Sequence, residues 1–276
     1  VIFVILFHFE ENYFSKGFVG VDIFFVISGY LITSIILNDL SNNKFSIIHF
    51  YERRFRRIIP VLICIIFFFI PFSWFWMTPE ELIYFSESIL TVIFFVSNLY
   101  FASIGDYFDP SVKDMSFLHT WSLSIEEQFY IIFPIFLILI NKFFKNKILS
   151  IFLIVLIISF LLNEISYKYF YNNNLFYFPH LRVWELLSGS LCAVVLNRYQ
   201  LSGNNVLSFS GIAFIFYAVF INENFFILES NLLLVVIGTV LIILFAKNNI
   251  ISNILSYKFL VLIGLVSYSA YLWHYP

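Results

Sequence analysis

The residues able to do chemistry in this chain gather in four places. The densest polar stretch is His119-Thr120-Trp121-Ser122-Leu123-Ser124-Ile125-Glu126-Glu127-Gln128-Phe129-Tyr130. On a helix, His119, Ser122, Glu126 and Tyr130 follow i, i+3, i+7, i+11 spacing and share one face, with Glu127 turned about 100° away. A polar stripe entering an apolar segment reads either as the wall of an aqueous cavity or as a hydrogen-bonded network that fixes helix packing. A second group lies in His49-Phe50-Tyr51-Glu52-Arg53-Arg54-Phe55-Arg56-Arg57-Ile58-Ile59-Pro60. Guanidinium groups bind phosphate bidentately, so Arg53, Arg54, Arg56 and Arg57 suit a phosphorylated cytosolic substrate. Arg54 and Arg57, at i, i+3, could grip one group together. The plainer alternative is a topology signal or an anionic-lipid site.

The third place pairs His8 with Asp22. An imidazole is the side chain best matched to general base work near neutral pH, although a lone histidine at a helix end is commonly just interfacial. Asp22 lies near the start of an apolar segment containing Gly17, Gly20 and Gly29. At depth such a carboxylate needs a partner or a wet cavity, and His8 is the candidate it would orient; capping the helix is the alternative. The glycines permit close helix approach. The fourth place is Arg182 and Glu185, which at i, i+3 either pair structurally or orient a substrate. His180 and His274, at the ends of apolar runs, read as interfacial residues. Cys64 and Cys192 have no partner spacing, and no Cys/His/Asp pattern resembles a metal site, so none is expected.

The elements that carry these residues must be membrane helices. The chain has 276 residues, 61% hydrophobic, 22% aromatic and only 12% charged, with a net charge of −2. Its mean hydropathy is +0.93. A soluble domain carries about a quarter charged residues, and a disordered chain would be polar and poor in aromatics. Nucleic acid binding would need a basic excess. The expectation is an all-α polytopic membrane bundle of about ten spans, placed at 1–9, 18–38, 58–76, 83–101, 121–141, 148–163, 183–197, 207–221, 231–246 and 257–276. No internal repeat separates domains, so residues 1–276 form one unit. Both ends read as cut, because the chain starts at Val1 without Met inside a nine-residue apolar run and stops at Pro276.

Charge asymmetry orients the bundle. If 83–101 does not fully cross, eleven basic residues fall inside, among them the four clustered arginines, and only Lys16, Lys113, Lys168 and Arg182 fall outside. If it crosses, the split is eight to seven. The first is the stronger bias, so 83–101 is expected to be re-entrant or interfacial. His8, Asp22, His119, Glu126, His180, Arg182, Glu185 and His274 then share the outer half, opposite the arginines.

Five motifs in order, GFVGVDIFFVISGYLI, FYERRFRRIIP, LHTWSLSIEEQFYIIFP, RVWELLSG and YSAYLWHYP, resemble the acyltransferase-3 family of bacterial membrane O-acyltransferases, which act on O-antigen and other surface polysaccharides. The resemblance runs from His8 to Pro276. It implies an inner-membrane, multi-pass enzyme that moves an acyl group, usually acetyl, from cytoplasmic acyl-CoA to a hydroxyl of an envelope glycan such as O-antigen or lipopolysaccharide. It implies no bound cofactor, with acyl-CoA as co-substrate and membrane lipid and a glycan or glycolipid acceptor as partners. His8 matches the family's first-helix histidine, and Glu126 its glutamate in the WSL stretch. Arg54 and Arg57, or the overlapping Arg53 and Arg56, match its arginine-x-x-arginine motif. The resulting expectation is a catalytic group of His8, Asp22 and Glu126, acyl-CoA held by the arginines, and an acceptor pocket of His119, Ser122, Tyr130, Arg182 and Glu185. The family also carries an arginine eleven residues before the histidine. That position precedes Val1, so the stretch as it stands is expected to be inactive. A transporter or flippase would also line a cavity with buried charge, but repeated halves would be expected of it and none are found.

Overall fold

The computed structural model describes residues 1–9, 16–105, 112, 115–170, 173–221 and 228–275, and every element among them is helical. Within hydrocarbon a helix satisfies its backbone polar groups inside its own segment, so an apolar chain of this composition folds this way. The protein is a membrane helix bundle. Its outer surface carries exposed apolar side chains such as Phe67, Phe75, Ile132, Leu139, Ile154 and Leu161. Its interior holds buried polar groups, including Asp22, Asn98, His119, Arg182 and Glu185.

Helix α1 (Ile2–His8) leads through a 3-10 turn at Gly17–Val19 into α2 (Gly20–Ser41). Helix α3 (Ile47–Trp76) begins at Ser46, whose hydroxyl accepts the His49 amide, and its 30 residues extend about 45 Å at ~1.5 Å per residue. The segments Gly17–Ser41, Ile47–Trp76 and Thr120–Ser166 are long and apolar enough to cross a membrane. The last of these contains a reversal. Helices α6 (Thr120–Phe144) and α7 (Ile148–Phe170) meet at a 3-10 turn over Lys145–Lys147, and Phe152 on α7 packs back within 5.6 Å of the Phe133 ring on α6. Then follow α8 (Pro179–Arg198), α9 (Asn205–Phe216), α10 (Leu228–Phe245), the short α11 (Ile250–Leu255) and α12 (Lys258–Trp273).

The segment expected at 83–101 is not one helix. It is split into α4 (Pro79–Ile93) and α5 (Ser97–Ile104), with Phe95 between them at φ 54°. At 15 and 8 residues these helices reach only about 22 and 12 Å, short of ~30 Å of hydrocarbon. Bare backbone at such a break needs partners, and α6 supplies them from a face outside the polar stripe of the motif. Gln128 donates to the Phe95 carbonyl at 2.8 Å and to Asn98 Oδ1 at 2.9 Å. Ser124 bonds the Ser97 hydroxyl at 2.8 Å, and Thr120 donates to the same hydroxyl at 3.0 Å. Thr120, Ser124 and Gln128 stand four residues apart and form a polar seam along one stripe of α6.

Helices α2 and α8 cross at two glycines. A Cβ on Gly29 would lie 1.8 Å from the Leu186 carbonyl oxygen, and one on Gly189 would lie 1.8 Å from that of Val26. Ser190 bonds across the crossing to the Gly29 carbonyl at 3.3 Å. Small residues at a crossing let the backbones approach closely, so that van der Waals packing and interhelical hydrogen bonds hold the helices where lipid removes the hydrophobic drive. Gly29→Ala or Gly189→Ala must therefore push the two helices apart, with an expected cost of about 1–3 kcal/mol. Gly264→Ala is the matched control, since nothing stands within 4 Å of its added Cβ. Melting curves of the detergent-solubilised protein, read by size-exclusion fluorescence, should fall for the first two variants and stay unchanged for the third.

Candidate active site

Helices α2, α3, α6 and α12 surround a cavity of about 350 Å³. One side of it is set by α3, where residues three apart share a face. Arg54 and Arg57 line the cavity. Arg53 and Arg56 point away, to Asp39 at 3.2 Å and Glu52 at 2.7 Å. The sequence carries two overlapping arginine-x-x-arginine registers, and helix geometry sends only one of them to the cavity. The Arg54 guanidinium carbon lies 5.8 Å from the ring centroids of both Phe50 and Tyr130. Its Nε is buried with no hydrogen-bond partner among the described residues. Arg57 is exposed.

The middle of the cavity belongs to α6 and α2. Ser122, Glu126 and Tyr130 line it together, and the Tyr130 hydroxyl bonds Ser28 of α2. Glu127 lines it as well, although its position on the helix is turned from that of Glu126. The cavity wraps far enough around α6 to take both carboxylates. Glu127 is 7% exposed, and its Oε1 has no hydrogen-bond partner among the described residues. On α12, Tyr268 and Tyr271 complete the wall, with Tyr268 donating to the Ile58 carbonyl of α3 at 3.2 Å.

Beyond the cavity wall formed by Ser122 and Tyr271, three helix termini converge. His8 closes α1, His119 opens α6 and His274 caps α12. His274 Nε2 lies 3.2 Å from His8 Nδ1, and the His119 and His274 rings stand 5.2 Å apart. Both ring nitrogens of His119 are buried without a hydrogen-bond partner among the described residues. Tyr271 joins this group to the cavity. Its hydroxyl donates to the His119 carbonyl at 2.7 Å and accepts from Ser122 at 2.6 Å.

The expected pairing of Asp22 with His8 is not what the structure holds. Asp22 accepts from Arg182 Nη1 at 2.8 Å, and Arg182 donates to Glu185 at 2.7 Å. All three side chains are buried. The close α2–α8 crossing brings a guanidinium to the carboxylate before an imidazole on α1 can reach it. Arg182 also stacks over Phe176 at 4.2 Å. Arg182 and Glu185 therefore belong to an ion-paired group between α2 and α8, apart from the cavity wall. His180 is exposed, as expected of an interfacial residue.

Ser28, Glu127, Tyr268, Tyr271 and His274 are site residues that motif spacing alone does not single out. Gly264, Ser267, Tyr268 and Tyr271 stand at helical spacing on α12, a small-and-polar stripe in an apolar segment, so a signal for that wall is present in the sequence. His274 reads as interfacial because nothing in one dimension shows which other helix ends share its position.

Over residues 1–276 the chain matches the family model Acyl_transf_3, described as an acyltransferase domain. The chain belongs to the acyltransferase-3 family. It is 32% identical over 294 residues to the O-acetyltransferase OatA of Staphylococcus aureus and 36% identical over 297 residues to the peptidoglycan O-acetyltransferase OatA of Listeria monocytogenes. Both alignments take in 100% of this chain, but only 48% and 47% of those proteins. The chain thus spans about half the length of these relatives. An uncharacterised protein of Haemophilus influenzae is 38% identical over 246 residues, covering 83% of this chain and 99% of that one. No solved structure matches. In this acyltransferase-3 bundle, GFVGVDIFFVISGYLI builds the Gly17–Val19 turn and the first part of α2, FYERRFRRIIP lies in the first half of α3, LHTWSLSIEEQFYIIFP opens α6, and the described residues of YSAYLWHYP end α12 and follow it. These four motifs enclose the cavity and the histidines. The fifth, RVWELLSG, builds the α8 face that grips α2.

Proposed function

We propose that the bundle carries out O-acyl transfer, taking an acetyl group from acetyl-CoA at its arginine end and passing it to a hydroxyl of an envelope glycan at its histidine end. The observation that carries this reading is a cavity with phosphate-binding arginines in its wall and, across from them, Tyr271, whose hydroxyl bonds the His119 backbone beside the His8–His274 pair. Arg54 and Arg57 would hold the coenzyme A phosphates at the cytoplasmic face of the inner membrane. Tyr130, beside Arg54, and His119 are eleven residues apart on α6, a rise of about 16 Å that a flexible phosphopantetheine arm can cover. His8 takes the proton of the acceptor hydroxyl as its oxygen attacks the thioester carbonyl. The carbon–sulfur bond breaks, and the leaving thiolate takes that proton from the imidazolium. The thioester is already activated, so the step needs no bound cofactor. Glu126 and the hydroxyls of Ser28, Ser122 and Tyr130 line the path. Asp22, Arg182 and Glu185 act at one remove by holding α2 against α8.

The acceptor is a surface glycan. The activity named for the Listeria relative favours peptidoglycan, and the motif resemblance favours O-antigen or lipopolysaccharide. Base-labile acetate, measured separately on the two glycans in cells lacking the gene, tells them apart. Complementation with the intact gene should restore acetate on one of them. A double variant Arg54→Ala plus Arg57→Ala should fail to restore it, with acetyl-CoA affinity falling about tenfold or more for the loss of charge-assisted phosphate contacts. Arg53→Ala plus Arg56→Ala should complement. Equal behaviour of the two double variants would overturn the arginine assignment, and loss of the whole glycan in the deletion strain would point to transport instead.

A further inference from the structure

Two carbonyl groups determine which nitrogen of His8 carries its proton. His8 Nδ1 lies 2.9 Å from the Val4 carbonyl oxygen, one turn back on α1. A carbonyl only accepts, so Nδ1 bears the hydrogen and the basic lone pair of the neutral ring is on Nε2. The same Nδ1 lies 3.2 Å from His274 Nε2. His274 is fixed in turn, because its own Nδ1 reaches the Tyr271 carbonyl. Its proton therefore sits on Nδ1, and its Nε2 is the acceptor facing His8. The Nδ1–H of His8 is shared between two acceptors, one from its own helix and one from the opposite end of the chain. The Tyr275 ring stands against His8 at 4.6 Å between centroids, and the Tyr271 side chain ties the cluster to the cavity wall.

We propose that His274 is a positioning residue that holds His8 in the Nδ1–H form, with its ring turned so that Nε2 serves as the base. This rests on the general-base role of His8 given above. It assigns to the YLWH stretch the role that a carboxylate plays in other base–orienter pairs, here filled by a neutral imidazole because the carboxylate of Asp22 is engaged by Arg182. A neutral orienter suits the site, because a charged group would be costly to bury beside the His119 ring, whose nitrogens have no hydrogen-bond partner among the described residues.

The test uses the intact enzyme in lipid nanodiscs, with acetyl-CoA and an oligosaccharide of the accepting glycan. Nitrogen-15 shifts of histidine-labelled protein, with the His8 signals assigned by their loss in His8→Asn, report the tautomer directly. Wild-type His8 should be a single Nδ1–H form, and His274→Leu should mix in the Nε2–H form. The same variant should lower kcat by about 10²-fold with KM for acetyl-CoA unchanged, less than the ~10⁴-fold loss when an orienting carboxylate is neutralised. His274→Gln places an amide oxygen at the position of Nε2 and should recover most of the rate. An Nε2–H form in the wild type overturns the proposal, as does equal loss in the Leu and Gln variants with an unmoved His8 spectrum. If His8→Ala itself leaves transfer intact, the reading of His8 as base fails, whatever the spectra show.

Discussion

An enzyme carrying His8→Ala should lose about 10²–10⁴-fold in acyl-transfer rate, the span that a well-placed general base contributes. His8 sits where α1, α6 and α12 end together, against His274 and next to the part of the cavity wall that Ser122 and Tyr271 form. The seating of α1 rests on other side chains. Val4 is the buried residue of α1, and the Phe7 ring packs on Phe18 at 5.7 Å, so the helix stays seated when His8 is shortened. Membrane insertion and melting temperature should match the wild type, while base-labile acetate on the glycan disappears. Acetate at wild-type level in this variant would remove His8 from the mechanism.

The largest effect on stability should come from Arg182→Met. Arg182 is the cation between Asp22 and Glu185, at 2.8 and 2.7 Å, and all three groups are cut off from water. Removing the guanidinium leaves two carboxylates confined together without a counter-charge. Breaking a buried ion pair in this way costs about 3–5 kcal/mol. For a membrane protein this should show as loss of the monodisperse species in detergent, or as a melting point lowered well beyond that of Gly189→Ala. Arg182→Lys should fall between, because an ammonium is a point charge without the fork or the stacking over Phe176. The triple variant Asp22→Asn, Arg182→Met, Glu185→Gln should recover much of the loss, since no charge remains to be compensated. A single Arg182→Met protein as stable as the wild type would show that the triad does not hold α2 to α8.

The helical class was legible in composition and hydropathy, since a chain this apolar has few other ways to satisfy its backbone, but α3 starts at Ile47, well before the expected 58, and α11 was not expected. The common face of Ser122, Glu126 and Tyr130 was legible for the same reason, as helical spacing is a local property. Partnership between helices was not. Asp22 is equally suited by type to His8 or to Arg182, and what decides is a glycine crossing whose two halves, Gly29 and Gly189, lie far apart in the chain. The break at Phe95 was hidden too. The carbonyl it exposes is taken by Gln128, and the dependence of α4 and α5 on a side chain of α6 cannot be read from residues 83–101 alone. The split of the arginines was half legible. Spacing offered two registers, and only the carboxylates at Asp39 and Glu52 show which one faces outward.

His8 and His274 touch across 266 positions of sequence. Helices enter the membrane in order of synthesis, so a nascent chain that has released α1 to α8 already owns the arginines, Glu126 and the ion-paired triad. It does not yet own the partner of His8. The contact between the two histidines forms only when the last described helix is in place. The histidine cluster is therefore completed last in assembly, in an order set by where in the gene the two histidine codons lie.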